Sequence, residues 1–288
     1  MALSIGQSRS AALRMLCVLL VVCMYARAEE RPLVFGVHPY LPASELAQRF
    51  TPLVTHLERA IGRPVRIRIG HSYDDHLAAL EQGRVDLAFI GPVSYIELVK
   101  RHGAWPIAAR LSFSGKTSFR GAIVVRDDSV IGGLSDLAGK RFAFGDRRST
   151  LSSVVPMALL RRAGVGLGDL AEYRHLSNHH NVALGVLMGY YDAGGIKGEV
   201  FEEFDGQGLK AMTFTPWISS HLFLFSRQVP VPLQDLIRQV LYELADEPGG
   251  RVILGKVKSG TTALVPAQDA DYDSLRLLLN DSLTSAAE

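Results

Sequence analysis

Phe142-Ala143-Phe144-Gly145-Asp146-Arg147-Arg148-Ser149-Thr150-Leu151-Ser152-Ser153-Val154-Val155-Pro156 is the stretch from which the rest of the chain is read. Phe142, Ala143 and Phe144 form a short apolar strand, and Gly145-Asp146 breaks it. Ser149 and Thr150 then cap a helix through Val154, Val155, Met157, Leu159 and Leu160. A strand that turns directly into a hydroxyl-rich helix start brings free backbone N–H groups, a positive dipole end and side-chain hydroxyls to one point. That is a seat for an oxyanion. Arg147 and Arg148 precede it and can steer anions toward it.

Working outward, the same grammar repeats. Pro32 to Val37 is an apolar strand that enters a loop at Pro39 and Pro42. Ser44 and Glu45 open a helix with Leu46, Phe50, Leu53, Val54, Leu57 and Ile61 on one face, ended by Gly62. Val65 to Ile69 alternates as a strand, and His71-Ser72-Tyr73 leads into a helix ended at Gln82-Gly83. Val85 to Ile90 is nearly all apolar, as a strand buried on both faces requires. Gly91-Pro92 turns it into a helix from Ser94. A second unit has strands at Phe119 to Val125, Arg141 to Phe144, Tyr173 to Leu176 and from Tyr191-Asp192-Ala193-Gly194-Gly195, with a helix opened by His179-His180-Asn181. Met212 to Phe214 and Leu222 to Phe225 return the chain to the first unit. Helices near Leu233 to Leu244 and Asp271 to Leu279 close it. The pattern predicts an α/β fold of two lobes, with ligand-facing loops at the strand carboxyl ends. Crossings near 117–121 and 219–222 make a hinge beside an interlobe cleft. The expected division is residues 29–119 with 222–288 in lobe 1, and 120–221 in lobe 2.

Residues 1–28 read as a cleavable secretory signal peptide: Arg9 and Arg14, an apolar run over Met15 to Met24, and Ala26-Arg27-Ala28. The chain is therefore expected to be exported from the cytoplasm. Both cysteines of the 288 residues, Cys17 and Cys23, lie in that segment, so the exported part holds no thiol or disulfide. Val22 is larger than the residue that usually precedes a lipidated cysteine, which argues against an anchor at Cys23. The whole chain has 31 Lys and Arg against 29 Asp and Glu; without the three arginines of residues 1–28 the balance is net −1. No basic stripe points to nucleic acid. A serine hydrolase would need Gly-x-Ser-x-Gly, and neither Ser149 nor Ser152 has such flanks. His179 and His180 are neighbours that point apart on a helix, with no third ligand spaced nearby, so a metal site is not expected.

The chain resembles the phosphate/phosphite/phosphonate family of periplasmic solute-binding proteins of ABC transporters. The resemblance is carried by Phe35-Gly36-Val37-His38-Pro39-Tyr40, Ala79 to Ala88, Gly91-Pro92-Val93-Ser94-Tyr95, Asp136 to Asp146, Ser149-Thr150, His179 with Val182-Ala183-Leu184, and Asp192-Ala193-Gly194, in order. It implies a type II two-lobed binding fold, capture of a phosphorus oxyanion for a membrane permease, and no catalysis; a monomer without a cofactor is expected. It also implies ligand contacts from Tyr73, Ser149, Thr150 and His179. Three positions depart from the family pattern. Leu151 stands where a third hydroxyl is common. Phe119 stands where a phenol is usual. His221 stands where aminophosphonate-binding members carry an acid; a protonated histidine would donate to an anion and reject an amine. The resemblance with that departure implies a ligand without an amino group. Tyr40 and Tyr95, in strand-end loops, are expected to wall the pocket. Asp192 is expected to be structural, since a bare carboxylate would repel the ligand. The alternative reading is an oxyanion sensor that signals to a membrane histidine kinase; an arsenite-sensing version would need a thiol.

Overall fold

The computed structural model describes residues 31–284, so the signal-peptide reading of residues 1–28 and Cys23 lies outside the described residues. Thirteen strands and nine α-helices are found among the described residues. β1 (Leu33–Val37), β2 (Val65–Ile69), β3 (Leu87–Ile90), β4 (Ile107–Ser112), β12 (Leu222–Phe225) and β13 (Ala263–Val265) form one six-stranded sheet in the order β13-β4-β12-β3-β1-β2. β2, β1 and β3 run parallel, while β12 runs antiparallel beside β3 with Leu222 opposite Ile90. The second sheet holds β6 (Gly121–Arg126), β7 (Arg141–Phe144), β8 (Glu172–His175), β9 (Ala193–Lys197) and β10 (Leu209–Phe214) in the order β10-β6-β9-β7-β8. Here β8, β7 and β9 are the parallel strands.

Each sheet is covered on both faces, which is why its central strands are continuous apolar runs rather than alternating ones. On one face of the first sheet, Phe35 and Phe89 pack with Phe50, Leu53 and Leu57 of α1 (Ala43–Ile61) and with Leu254 and Val257 of α8 (Gly250–Val257). On the other, Ala88 and Ile90 meet Leu80 of α2 (Tyr73–Glu81) and Leu98 of α3 (Pro92–His102). In the second sheet Ala122 and Val124 face Val182 and Val186 of α5 (His179–Leu187), while Ile123 and Val125 face Leu160 of α4 (Val155–Arg162). A further apolar cluster ties Val93 on α3 to Leu151 and Val155, and to Leu275 of the last helix, α9 (Asp273–Thr284).

The strand expected over Phe119 to Val125 is split. β5 (Ser118–Phe119) pairs with β11 (Ile218–Ser219) in a separate two-stranded ribbon, and β6 begins at Gly121. A Cβ at Gly121 would lie 2.5 Å from the carbonyl oxygen of Ile196, so only glycine lets β6 approach β9 this closely. Elements β4, α6 (Gly198–Phe204), α8 and β13 have no counterpart in the sequence reading.

The helix after β7 also opens differently from expectation. It starts with a π turn, Thr150–Val154, before α4. Pro156 has no N–H to give to the Ser152 carbonyl, which accepts instead from Gly145 N at 3.0 Å. Ser149 stands at the N-cap, yet its side chain makes no capping bond. No described helix is long and apolar enough to cross a membrane.

Candidate ligand-binding site

The parallel strands of both sheets deliver their carboxyl ends to one place. His38 and Tyr40 follow β1, Ser72 and Tyr73 follow β2, and Gly91 follows β3. The loop from Gly145 to Thr150 follows β7, His179 follows β8, and Gly198 and Glu199 follow β9. His221 precedes β12, whose antiparallel course sets its start beside the end of β3.

A cluster of rings forms there. His38 lies 4.8 Å from Tyr40, 5.1 Å from Tyr73 and 5.6 Å from His221, centroid to centroid. Phe89 stacks on His221 at 5.5 Å, and Phe119 lies 5.3 Å from the same imidazole. Gly91, the N-cap of α3, leaves room beside these rings: a Cβ there would be 3.5 Å from His38 and 3.8 Å from His221. Both ring nitrogens of His38, and Nδ1 of His221, are buried without a hydrogen-bond partner. Orphaned buried donors and acceptors of this kind are costly in a bare protein and call for a partner.

The charges in the cluster come from lysines. Lys258, at the C-cap of α8, places Nζ 5.3 Å over the Phe119 ring and 3.6 Å from Glu199 Oε1. Lys197 Nζ meets the other oxygen of Glu199 at 2.9 Å. Burial pushes the Lys258 ammonium below its ordinary range, against the opposing pull of Glu199. Burial raises the Glu199 carboxyl, but Lys258 and Lys197 outweigh it and the net shift is downward. Burial, with Lys258 among the added charges, holds His38 and His221 well below the usual imidazole value. His179 falls to about 3 for the same reason, with Lys197 and Lys258 adding to burial. The histidines are therefore neutral at pH 7. Without a ligand, His221 thus offers an anion a dipole rather than a charge. His179 Nδ1 accepts from Lys197 N–H at 3.1 Å, so its proton sits on Nε2 and is free to be donated elsewhere. Burial also raises the Tyr40 and Tyr73 phenols, which remain protonated donors.

The start of the π turn adds backbone donors. Its first bonds run from Ser153 N and Val154 N to the Ser149 carbonyl, so the N–H groups of Thr150, Leu151 and Ser152 have no carbonyl of the same helix ahead of them. Thr150 is buried, Ser149 is half-buried, and Ser152 Oγ is buried without a partner. Leu151 packs with Val93 of α3, which brings this turn beside the start of α3. Arg148 is ion-paired with Asp74 at the start of α2 and with Glu97 on α3, while Arg147 is exposed. Arg148 thus clasps the loop after β7 to helices α2 and α3 rather than standing as a free anion guide.

Of the eight residues expected at the site, Tyr40, Tyr73, Phe119 and His221 share the ring cluster directly. His179 joins them through the field of Lys197 and Lys258. Ser149 and Thr150 open the adjoining turn. Tyr95 is placed elsewhere. It is fully buried one turn into α3, its ring 4.8 Å from Tyr272 and tilted 57° to it, and it donates to Asp269 at 2.6 Å. Its helix phase turns it into the core, away from the ring cluster. Asp269 also pairs with Arg276, so Tyr95→Phe should cost only about 0.5–1.5 kcal/mol in urea unfolding. It should leave ligand affinity unchanged in calorimetry; a large affinity loss would return Tyr95 to the pocket wall. Asp192 is structural as expected: its carboxylate takes the Arg141 guanidinium at 2.8 Å and the Arg141 backbone N–H at 2.8 Å. His180 is exposed and bonded to Glu203.

Sequence reading passed over His38, Ser152, Glu199 and Lys258. His38 lay within a quoted motif and directly after a strand, the position that flags ligand-facing residues. Nothing local marks Lys258, whose burial comes from the docking of α8.

Residues 35–272 match the family described as "ABC transporter, phosphonate, periplasmic substrate-binding protein". The chain is 28% identical over 136 residues to the phosphonates-binding periplasmic protein of Escherichia coli K12, covering 46% of this chain and 40% of that one. It is 30% identical over 163 residues to the phosphate-import protein PhnD of Mycolicibacterium smegmatis, covering 53% and 50% respectively. The matches thus span half or less of these relatives. The solved structure of PhnD1 from Prochlorococcus marinus, in complex with methylphosphonate, superposes with a TM-score of 0.76 at 18% identity, covering 87% of this chain and 98% of that one. The chain belongs to the phosphonate family of ABC-transporter periplasmic substrate-binding proteins, with the two-lobed α/β fold of type II binding proteins.

Proposed function

Taking that family as the premise, we propose that the protein captures a phosphorus oxyanion without an amino group (phosphate, phosphite or a simple phosphonate) in the periplasm. It then hands the ligand to an ABC permease, acting as a monomeric carrier and not as an enzyme. The observation that carries the reading is the convergence of unspent donors on one dry spot. These are the open N–H groups of Thr150, Leu151 and Ser152, the hydroxyls of Ser149, Thr150 and Ser152, the partnerless ring of His38, neutral His179 and His221, the phenol of Tyr73, and the Lys258 ammonium. A tetrahedral anion needs many N–H and O–H donors out of water, and charge-assisted bonds of this kind are the strong ones. Phe119 gives the substituent an apolar wall. The lobes, 29–119 with 222–288 and 120–221, close about the segments 117–121 and 219–222, where β5 and β11 form their ribbon.

A thermal-shift series with phosphate, phosphite, methylphosphonate and 2-aminoethylphosphonate tests this. A ligand at a hundred times its Kd stabilises the fold by about 2.7 kcal/mol, a shift of several degrees. The expected result is a clear rise with at least one amine-free phosphorus oxyanion. No rise with any of them would refute the proposal.

A further inference from the structure

The neutral state of His221 removes the reason first given for rejecting an amine, because a neutral imidazole can accept a hydrogen bond from an ammonium group. A carboxylate also stands in the cluster: Glu199, close enough to Tyr40 for its charge to be felt there. Left bare, it would attract a ligand amine and repel an oxyanion. It is not bare. Lys197, from its own lobe, holds one oxygen at 2.9 Å, and Lys258, from the other sheet's last helices, approaches the second at 3.6 Å. Lys258 is positioned by the end of α8, where the preceding carbonyl, Val257 O, accepts from Tyr40 Oη at 3.4 Å. Its ammonium lies over Phe119, the ring that faces His221, so it sits in the path a ligand substituent would take.

From this geometry we infer that Lys258 is a specificity-determining residue. Its ammonium occupies the place beside Glu199 that a ligand's amino group would otherwise take, and it turns a carboxylate-bearing pocket into one with net positive charge. Two lysines against one glutamate leave the far end of the cleft cationic, which suits a ligand whose charge is all negative. The 3.6 Å separation from Glu199 is longer than a hydrogen bond, so Lys258 retains donor capacity for an oxyanion. This inference rests on the oxyanion reading above and adds to it the side chain that sets the choice.

The test is titration calorimetry of the wild type, Lys258→Met, Lys258→Arg and Glu199→Gln with methylphosphonate and 2-aminoethylphosphonate. The wild type should prefer methylphosphonate by about tenfold or more. Lys258→Met should weaken methylphosphonate by about 10- to 100-fold and tighten 2-aminoethylphosphonate, reversing the order, while Lys258→Arg keeps it. Glu199→Gln, at a half-exposed side chain, should strengthen methylphosphonate and weaken the amine further; it decides the matter if Lys258→Met does not fold. Equal losses for both ligands in Lys258→Met, or a wild-type preference for the amine, would overturn the inference. A wild type that binds neither ligand, nor phosphate or phosphite, would overturn the oxyanion reading itself.

Discussion

The double variant Ser149→Ala/Thr150→Val should lose at least about 100-fold in affinity for its oxyanion, since each hydrogen bond to a charged partner is worth about 1.5–3 kcal/mol. Its fold should be almost untouched. A helix that relied on a Ser cap would lose about 1 kcal/mol or more on such a change. Here Ser149 makes no capping bond, and Thr150 lies inside the π turn rather than ahead of it. Valine keeps the shape of the buried threonine and removes only its hydroxyl. The separation of the two effects is the informative part: calorimetry should report a large loss of binding while the urea midpoint stays close to that of the wild type. A large loss of stability with unchanged binding would mean that the hydroxyls serve the helix and not a ligand.

The second large effect is acid instability. His38 and His76 are buried and His179 and His221 half-buried, and desolvation is the chief reason all four lie below the ordinary imidazole value; His76 falls to about 4 and His179 to about 3. Their folded values lie below the unfolded value of about 6.5, so between these limits the unfolded chain holds more protons. Stability is therefore fully present above pH 6.5 and is lost as pH falls below it, by on the order of 1 kcal/mol per pH unit for each histidine. Urea unfolding at pH 7.5, 6.5, 5.5 and 4.5 should show a fall of several kcal/mol by pH 5, comparable with the whole stability of many domains. The carboxylates that ion pairs hold low, Asp192 and Asp269 among them, act in the same direction only below about pH 4.5, so the two windows can be told apart. A flat profile between pH 6.5 and 5 would mean that these rings reach water or a counter-charge.

The sheets were legible because their strands carry period and composition on their face. Val85 to Ile90 is apolar except for Asp86 and Leu222 to Phe225 is apolar throughout, and they supply the central strands β3 and β12 of the first sheet. The strand-to-turn junction at Ser149 and Thr150 was legible for the related reason that a parallel strand's carboxyl end announces it, whereas Tyr73 and His179 came with the family resemblance. What the sequence hid depended on distant contacts. Tyr95 occupies the right loop but the wrong helix phase, and its partner Asp269 is 174 residues away. The π turn follows from the missing N–H of Pro156 together with the Gly145–Ser152 bond, neither of which alters the local pattern of apolar residues. Lys258 follows Lys256 and Val257 in a stretch that looks like an ordinary solvated helix end; only the packing of α8 against α1 buries it.

The most direct test is a crystal structure of the protein grown with methylphosphonate. The phosphonate oxygens should lie within hydrogen-bonding distance of the Thr150 amide and hydroxyl, with His38, His179 or His221 donating from the opposite side and the methyl group toward Phe119. A phosphonate held elsewhere, with the Ser149–Thr150 turn unoccupied and the His38 ring still without a partner, would contradict the account.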